Sequence, residues 1–156
     1  MAKLLYGMAC YREYLPKERL DGNIRLMKAA GSIAVRIAES TWSSYEPRDG
    51  EFDFSQVLTV PDRMQQHQIS VIIGTPTYAL PAGWQKKHPS VIAETPQGVN
   101  KYGHRQKMDI TSPVYLFYSE RIIRRLLAAT ACHPPLESII YCPSRGSKLC
   151  LNHSLA

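Results

Sequence analysis

The sequence lacks the features that mark membrane and secreted proteins. None of its 156 residues lies in an apolar run approaching the roughly 18 residues of a membrane span. Residues 1–6 resemble the start of a strand and have neither the apolar region nor the cleavage site of a signal peptide. We therefore expect a cytoplasmic protein with no membrane partner. Its four cysteines are then expected to be free thiols.

Motifs for phosphate, nucleic-acid and serine-hydrolase chemistry are also missing. No glycine-rich segment is dense enough to cradle a phosphate, and no nucleophile elbow occurs. The net charge of +6 comes from basic residues that are scattered rather than arranged as a basic stripe with interleaved aromatics. We expect no cofactor and no nucleic-acid partner. We then expect a solvated or ion-paired surface position for Lys107, Arg121, Arg124 and Arg125.

What is present is the composition of a globular domain with a core, at 44% hydrophobic and 21% charged residues. Three short apolar runs predict buried strands at 3–9, 33–37 and 70–75. Helices are predicted over 16–30, within 55–67 and over 113–127. A hairpin or extended loop is expected over 94–109. This alternation of strands and helices is typical of an α/β fold with a parallel sheet.

The first predicted helix has a clear apolar face and a clear end. Leu20, Ile24 and Met27 recur at i, i+4 and i+7, so they are expected on one buried side. Gly31 follows as the residue that can take the left-handed conformation of a helix stop.

The other two helices are marked by their prolines and caps. Pro61 predicts a kink, or a helix that begins near it, because a proline inside a helix costs about 3 kcal/mol. Ser112 is predicted to cap the third helix, with a proline in its first turn. The inward residues are predicted to be Val57, Leu58 and Met64 in the second helix and Leu116, Ile123 and Leu126 or Leu127 in the third.

The most informative stretch is 33–47, where a buried strand leads into a loop that carries Glu39 and Trp42. A carboxylate and an indole at the carboxyl end of a strand are a common way to build a sugar site in β/α barrels. Trp42 and Trp84 are predicted either to form an apolar platform for a sugar face or to anchor the core or the loop. Cys10, after the first strand, is expected to be a small buried or half-buried side chain.

The segment 132–156 differs from the rest of the chain. It holds three of the four cysteines and no sustained hydrophobic period. Zinc sites use paired ligands, and only Cys150 and His153 have such a spacing, so no metal site is predicted. We expect two regions: an α/β region over 1–131 and an irregular tail over 132–156.

Several motifs follow one another in a linked order, at the segments 26–31, 36–43, 46–47, 50–54, 74–77, 84–89, 103–105 and 111–113. In this order they resemble the bacterial β-galactosidases of glycoside hydrolase family 42. The resemblance covers about residues 4–133.

The resemblance implies a TIM barrel that removes terminal β-D-galactose from β-galactosides with retention of configuration. A closed barrel needs roughly 250 residues, so we expect a partial (β/α)8 barrel of about three βα units. Retention uses two carboxylates, an acid/base and a nucleophile. In the family the first is the Glu of an Asn-Glu pair ending the fourth strand, where this chain has Pro143 and Ser144. The second lies near the seventh strand.

The chain is therefore expected to lack both catalytic carboxylates and to be inactive alone, as a truncated product with a frameshifted tail. Arg105 matches an arginine that, by resemblance, contacts galactose. Glu39 is expected to orient Arg105 or to accept hydrogen bonds from sugar hydroxyls, not to be a catalytic acid. Asp109 stands where some relatives have a zinc cysteine, which argues against the family's zinc site.

Intact members of this family are expected to be homo-oligomeric. The alternative to an enzyme is a non-enzymatic fragment that binds carbohydrate or pairs with the remainder of the barrel.

Overall fold

The structure is a computed structural model that describes residues 6–11, 16–99 and 108–131. It divides into two compact units. Among the described residues, the first comprises those up to Glu39, those of Ser55–Thr75 and those from Thr130 onward, and the second those of Ser40–Phe54 and Pro76–Ala129. The strands of the first unit are β1 (Gly7–Ala9), β2 (Ala34–Ile37) and β3 (Ser70–Ile73). Its helices are α1 (Leu20–Ala29) and α3 (Ser55–Gln66).

The first unit is built on a parallel sheet of three strands in the order β1-β2-β3. Met8 pairs with Val35, and Val35 pairs with Val71. The strands form where the sequence predicts them, although each is shorter than its apolar run, and residues 1–5 of the first run lie outside the described part. Val35 and Ile73 are completely buried, as expected for β-branched residues in a parallel sheet.

Helix α1 confirms the predicted face and the predicted end. Leu20, Ile24 and Met27 are its buried residues. Gly31 has φ +74°. The amide of Ser32 donates a 2.9 Å hydrogen bond to the carbonyl of Met27, which is the 6→1 hydrogen bond of a Schellman motif. The start differs from the prediction, because a short 3₁₀ turn at Lys17–Arg19 precedes the α-helix.

Helix α3 runs without interruption through Pro61, so the prediction that it begins near that proline is wrong. The proline ring is completely buried beside Val57, Val60 and Met64 on the inward face. Burial of the ring offsets the missing amide hydrogen, which is why the helix tolerates the residue. Leu58, predicted to point inward, is only half-buried.

The second unit contains short elements and one long helix. Its elements are α2 (Trp42–Tyr45), α4 (Trp84–Lys87), β4 (Glu94–Thr95), β5 (Gly98–Val99) and α5 (Pro113–Thr130). Short 3₁₀ turns lie at Pro76–Tyr78 and Pro89–Val91. Strands β4 and β5 form an antiparallel hairpin over 94–99, which confirms the hairpin alternative for that part of the predicted region 94–109. Residues 100–107 of the region lie outside the described part.

The inward face of α5 differs from the predicted one. Leu126 is buried as predicted, but Leu116 is 53% exposed and Ile123 is half-buried. The buried positions are Tyr115, Ser119, Ile122, Leu126 and Thr130, at spacings of four, three, four and four. A count of aliphatic residues alone misses this face, because a tyrosine, a serine and a threonine occupy three of its five positions.

The start of α5 is also only partly as predicted. Ser112 directly precedes the helix, and its carbonyl accepts a 3.0 Å hydrogen bond from the amide of Leu116. Its hydroxyl, however, is buried and has no hydrogen-bond partner, so it does not cap the helix. None of the helices that the structure describes combines the length and apolar character of a membrane span. The predicted boundary at 131/132 stays a prediction, because 132–156 lies outside the described residues.

Candidate functional site

The site lies in the first unit, at the carboxyl end of β2. Ala38 follows the strand with φ +76°, a left-handed conformation that is uncommon for a residue with a side chain. It costs about 1–2 kcal/mol relative to an ordinary backbone. Strain of this kind persists where the surrounding structure fixes the chain, and it is often found at functional sites. The next residue is Glu39.

The Glu39 carboxylate is held through one of its two oxygens. Oε2 accepts a 3.1 Å hydrogen bond from the Tyr11 hydroxyl and lies 3.0 Å from Nη2 of Arg36. Among the residues that the structure describes, none donates a hydrogen bond to Oε1. The side chain keeps 16% of its surface exposed, and Oε1 is not among the enclosed, unpartnered atoms. Oε1 is therefore an acceptor that a ligand can reach.

Gly74, the residue after β3, packs closely against Glu39. A Cβ on Gly74 would lie 3.2 Å from both Cα and Cβ of Glu39. The Gly74 amide also donates a 2.8 Å hydrogen bond to the carbonyl of Ile37. A Cβ at position 74 would require Glu39 or its neighbours to shift by a few tenths of an ångström, so glycine favours this close approach.

Cys10 completes this edge on the β1 side. Its amide donates a 2.8 Å hydrogen bond to the carbonyl of Arg36, and its side chain is buried. Its sulfur is not part of a disulfide, which agrees with the predicted thiol. The other three cysteines lie outside the described residues.

Trp42, in the second unit, is completely buried. Its ring centroid lies 5.0 Å from that of Trp84 in an edge-to-face contact and 6.3 Å from that of Tyr115. Trp84 is buried as well. This enclosure supports the anchoring alternative for the two indoles over an open sugar platform. A substrate contact by Trp42 stays a prediction.

In the second unit, Glu46 and Asp49 form ion pairs with two basic side chains, Lys87 and Arg121. We call these four residues the carboxylate cluster. Arg121 pairs with both carboxylates, at 2.8 Å from Asp49, and Lys87 pairs with Asp49. Hydrogen bonds from Lys87 and then Arg121 lower the pKa of Asp49, and the bond to Asp49 raises the pKa of Lys87. The expectation of an ion-paired Arg121 is confirmed.

Asp109 has a local role in the second unit. It accepts hydrogen bonds of 2.8 Å from the Thr111 amide and 2.6 Å from the Thr111 hydroxyl, which lower its pKa. It thus closes the turn that precedes α5.

Arg105, the predicted galactose contact, lies outside the described residues. The same holds for Lys107, Cys132, Cys150 and His153. The structure instead adds two residues that sequence reasoning missed. Arg36 is three residues from Glu39, a spacing that could have indicated an ion pair. Tyr11 is 28 positions away, and no local pattern indicates its contact.

Comparison with known proteins identifies the family. The model of glycoside hydrolase family 42, described as beta-galactosidase, matches residues 10–138, most of the chain. The chain belongs to glycoside hydrolase family 42. A β-galactosidase of Geobacillus kaustophilus is 30% identical over 138 residues, which cover 88% of this chain and 20% of that protein. A β-galactosidase of Thermus thermophilus is 29% identical over 123 residues, which cover 78% of this chain and 19% of that protein.

Solved structures agree with this assignment. The family 42 chain superposes on a β-galactosidase of Halorubrum lacusprofundi with a TM-score of 0.80 and 27% identity, covering 88% of this chain and 21% of that one. For a β-galactosidase of Marinomonas ef1 the TM-score is 0.80 and the identity 28%, with the same coverage. The family 42 chain thus spans about a fifth of these relatives. Its fold is a partial α/β barrel.

Proposed function

We propose that this chain contributes to the hydrolysis of terminal non-reducing β-D-galactose residues in β-galactosides, with retention of configuration. Family membership supports this reaction class. The observation that carries the proposal is the position of Glu39 at the carboxyl end of a parallel strand, the edge at which β/α barrels bind substrate. An accessible carboxylate oxygen there suits a sugar hydroxyl, which donates a hydrogen bond to it.

The chain's proposed role is to bind substrate and not to cleave it. A retaining hydrolase needs an acid/base and a nucleophile about 5 Å apart. Glu39 is the acidic residue of the described site, and Arg36 and Tyr11 already engage it. At the positions where the resemblance places the Asn-Glu pair, the sequence has Pro143 and Ser144. We therefore propose that the chain alone is inactive.

Arg105 and Glu39 are the proposed substrate-binding residues, whereas the complete burial of Trp42 argues against the same role for that predicted contact. A guanidinium forks well onto two neighbouring hydroxyls, which supports the role that the resemblance gives to Arg105. On sequence grounds we also propose that the protein is cytoplasmic and that its intact relatives are homo-oligomeric. We propose as well that it uses no cofactor and binds no nucleic acid.

The test is binding of methyl β-D-galactoside to the purified chain, followed by chemical-shift changes of its backbone amides. We expect saturable shifts at the carboxyl ends of β1, β2 and β3, weakened by Glu39→Gln. Glu51→Gln is the matched control, because Glu51 pairs with Arg48 at an exposed site. Absence of any saturable shift with the wild-type chain contradicts the proposal.

A second candidate function is pairing with the remainder of a barrel. The described part has only three parallel strands, and β1 and β3 each pair on one side with β2. Free edges and an uncovered face of a parallel sheet favour association. Size-exclusion chromatography tests this idea: self-association or capture of a barrel partner supports it, whereas a compact monomer that unfolds cooperatively counts against it.

A further inference from the structure

We infer that Tyr11 and Arg36 are positioning residues that make Glu39 a one-sided acceptor. They hold Oε2, and Oε1 is left to accept a hydrogen bond from one particular hydroxyl of a bound pyranoside. This inference rests on the proposed function and deepens it, because it assigns the residues that would determine which hydroxyl is recognised.

The first support is that two side chains engage the same oxygen. The Tyr11 hydroxyl, in the segment after β1, donates a 3.1 Å hydrogen bond to Oε2, and Nη2 of Arg36, on β2, forms an ion pair with it at 3.0 Å. A carboxylate has two oxygens with about four acceptor positions, and an arginine can engage both oxygens at once. Here both partners use Oε2. The carboxylate plane is fixed and the second oxygen stays available.

The second support is that the backbone of Glu39 is fixed as well. Ala38 holds a left-handed conformation immediately before it, and the close approach of Gly74 restricts both its Cα and its Cβ. A solvent-exposed ion pair does not need a strained backbone or a close backbone approach, because its long side chains can reach each other by rotation about their own bonds. With both ends fixed, Oε1 occupies one position in the site.

A fixed acceptor at one position has a specific chemical consequence. A site built to hydrogen-bond one substrate hydroxyl rejects the analogue that lacks it, because the acceptor is left unpaired. A hydrogen bond to a charged group corresponds to about a 10- to 100-fold change in affinity. A mobile carboxylate can reach other hydroxyls and discriminates less. Positional selectivity should therefore depend on Tyr11 and Arg36.

The experiment measures dissociation constants of methyl β-D-galactoside and its four monodeoxy analogues for the full chain. We expect one analogue to bind the wild-type chain at least about 10-fold more weakly than the parent sugar. Tyr11→Phe and Arg36→Met should each shrink that ratio to below about 3-fold, and Glu39→Gln should do the same. Loss of the ratio, and not weaker binding alone, separates positioning from a merely structural role.

Two control variants match the substitutions. Tyr6→Phe removes an exposed tyrosine hydroxyl, and Arg63→Met removes an exposed arginine that pairs with Asp21. Both should keep the full wild-type ratio. If Arg36→Met unfolds, Tyr11→Phe carries the test, because it removes one oxygen atom and little volume.

The outcomes distinguish the inference from the function beneath it. Binding without any position-dependent loss, or a loss that persists in Tyr11→Phe, overturns the inference and leaves the proposed function standing. Failure of the wild-type chain to bind any of the sugars overturns both.

Discussion

The indole nitrogen of Trp42 donates a 3.0 Å hydrogen bond to Oε2 of Glu46, and both side chains are buried. The other oxygen, Oε1, accepts a 2.9 Å hydrogen bond from the amide of Gly50 and pairs with Arg121. One buried carboxylate therefore joins the start of α2, the following turn and helix α5. The ion pairs of the carboxylate cluster thus connect three segments of the second unit.

The first prediction concerns this cluster. Glu46→Gln should lower the free energy of unfolding by about 2–4 kcal/mol, because it leaves Arg121 partly buried without its closest counter-charge. Urea denaturation followed by tryptophan fluorescence measures the change. Glu51→Gln, at an exposed pair, should change stability by less than about 0.5 kcal/mol. Equal effects of the two substitutions would show that burial of the Glu46 pair is not important.

The second prediction compares two leucines on α5. Leu126→Ala should cost about 2–5 kcal/mol, because it opens a cavity at a completely buried position. Leu116→Ala should stay within about 0.5 kcal/mol, because that side chain is half in solvent. The free energies of unfolding of both variants, measured by thermal or urea denaturation, test this prediction. The reverse order would contradict the inward face of α5 that the structure shows.

The third prediction uses two glycines of the first unit. A Cβ on Gly7 would lie 2.6 Å from the carbonyl oxygen of Ala34, so Gly7→Ala should destabilise by at least about 2 kcal/mol. A Cβ on Gly22, in α1, would meet no atom within 4 Å, so Gly22→Ala should stabilise by about 0.5 kcal/mol through helix propensity. If both substitutions changed the free energy of unfolding in the same direction, the close pairing of β1 and β2 would be contradicted.

The fourth prediction is a pH dependence at Asp49. Its pKa is lowered from 3.8 in the folded chain, so its ion pairs stabilise the fold above that ordinary value. This stabilisation is lost as the pH falls through the lowered pKa, where the folded carboxylate is protonated. A ¹³C NMR titration should give a midpoint below 3.8 for Asp49. Lys87→Met should move the midpoint upward, and an unmoved midpoint would argue against the pair.

Local patterns in the sequence account for much of the fold. Short apolar runs mark the three strands, and two of these runs are rich in β-branched residues. The i, i+4, i+7 spacing with Gly31 marks the face and end of α1. The prediction fails where long-range packing decides. The ring of Pro61 is accommodated because it is buried, and Tyr115 and Ser119 take core positions that no aliphatic pattern shows.

The candidate site was only partly predictable for the same reason. The position of Glu39 follows from its place after a strand. Its partner Tyr11 comes from another strand end, and the enclosure of Trp42 depends on Trp84, 42 positions later. Contacts of this range are set by the parallel sheet and by α5, and not by neighbours in sequence.

The central claim is that this chain supplies binding groups and not the reacting pair of carboxylates. Release of nitrophenol from a nitrophenyl β-D-galactoside by the purified chain tests it most directly. The account predicts no release above the buffer blank, for the wild-type chain and for Glu39→Gln alike. Steady release by the wild-type chain that disappears in Glu39→Gln would contradict it, because Glu39 would then be a reacting carboxylate.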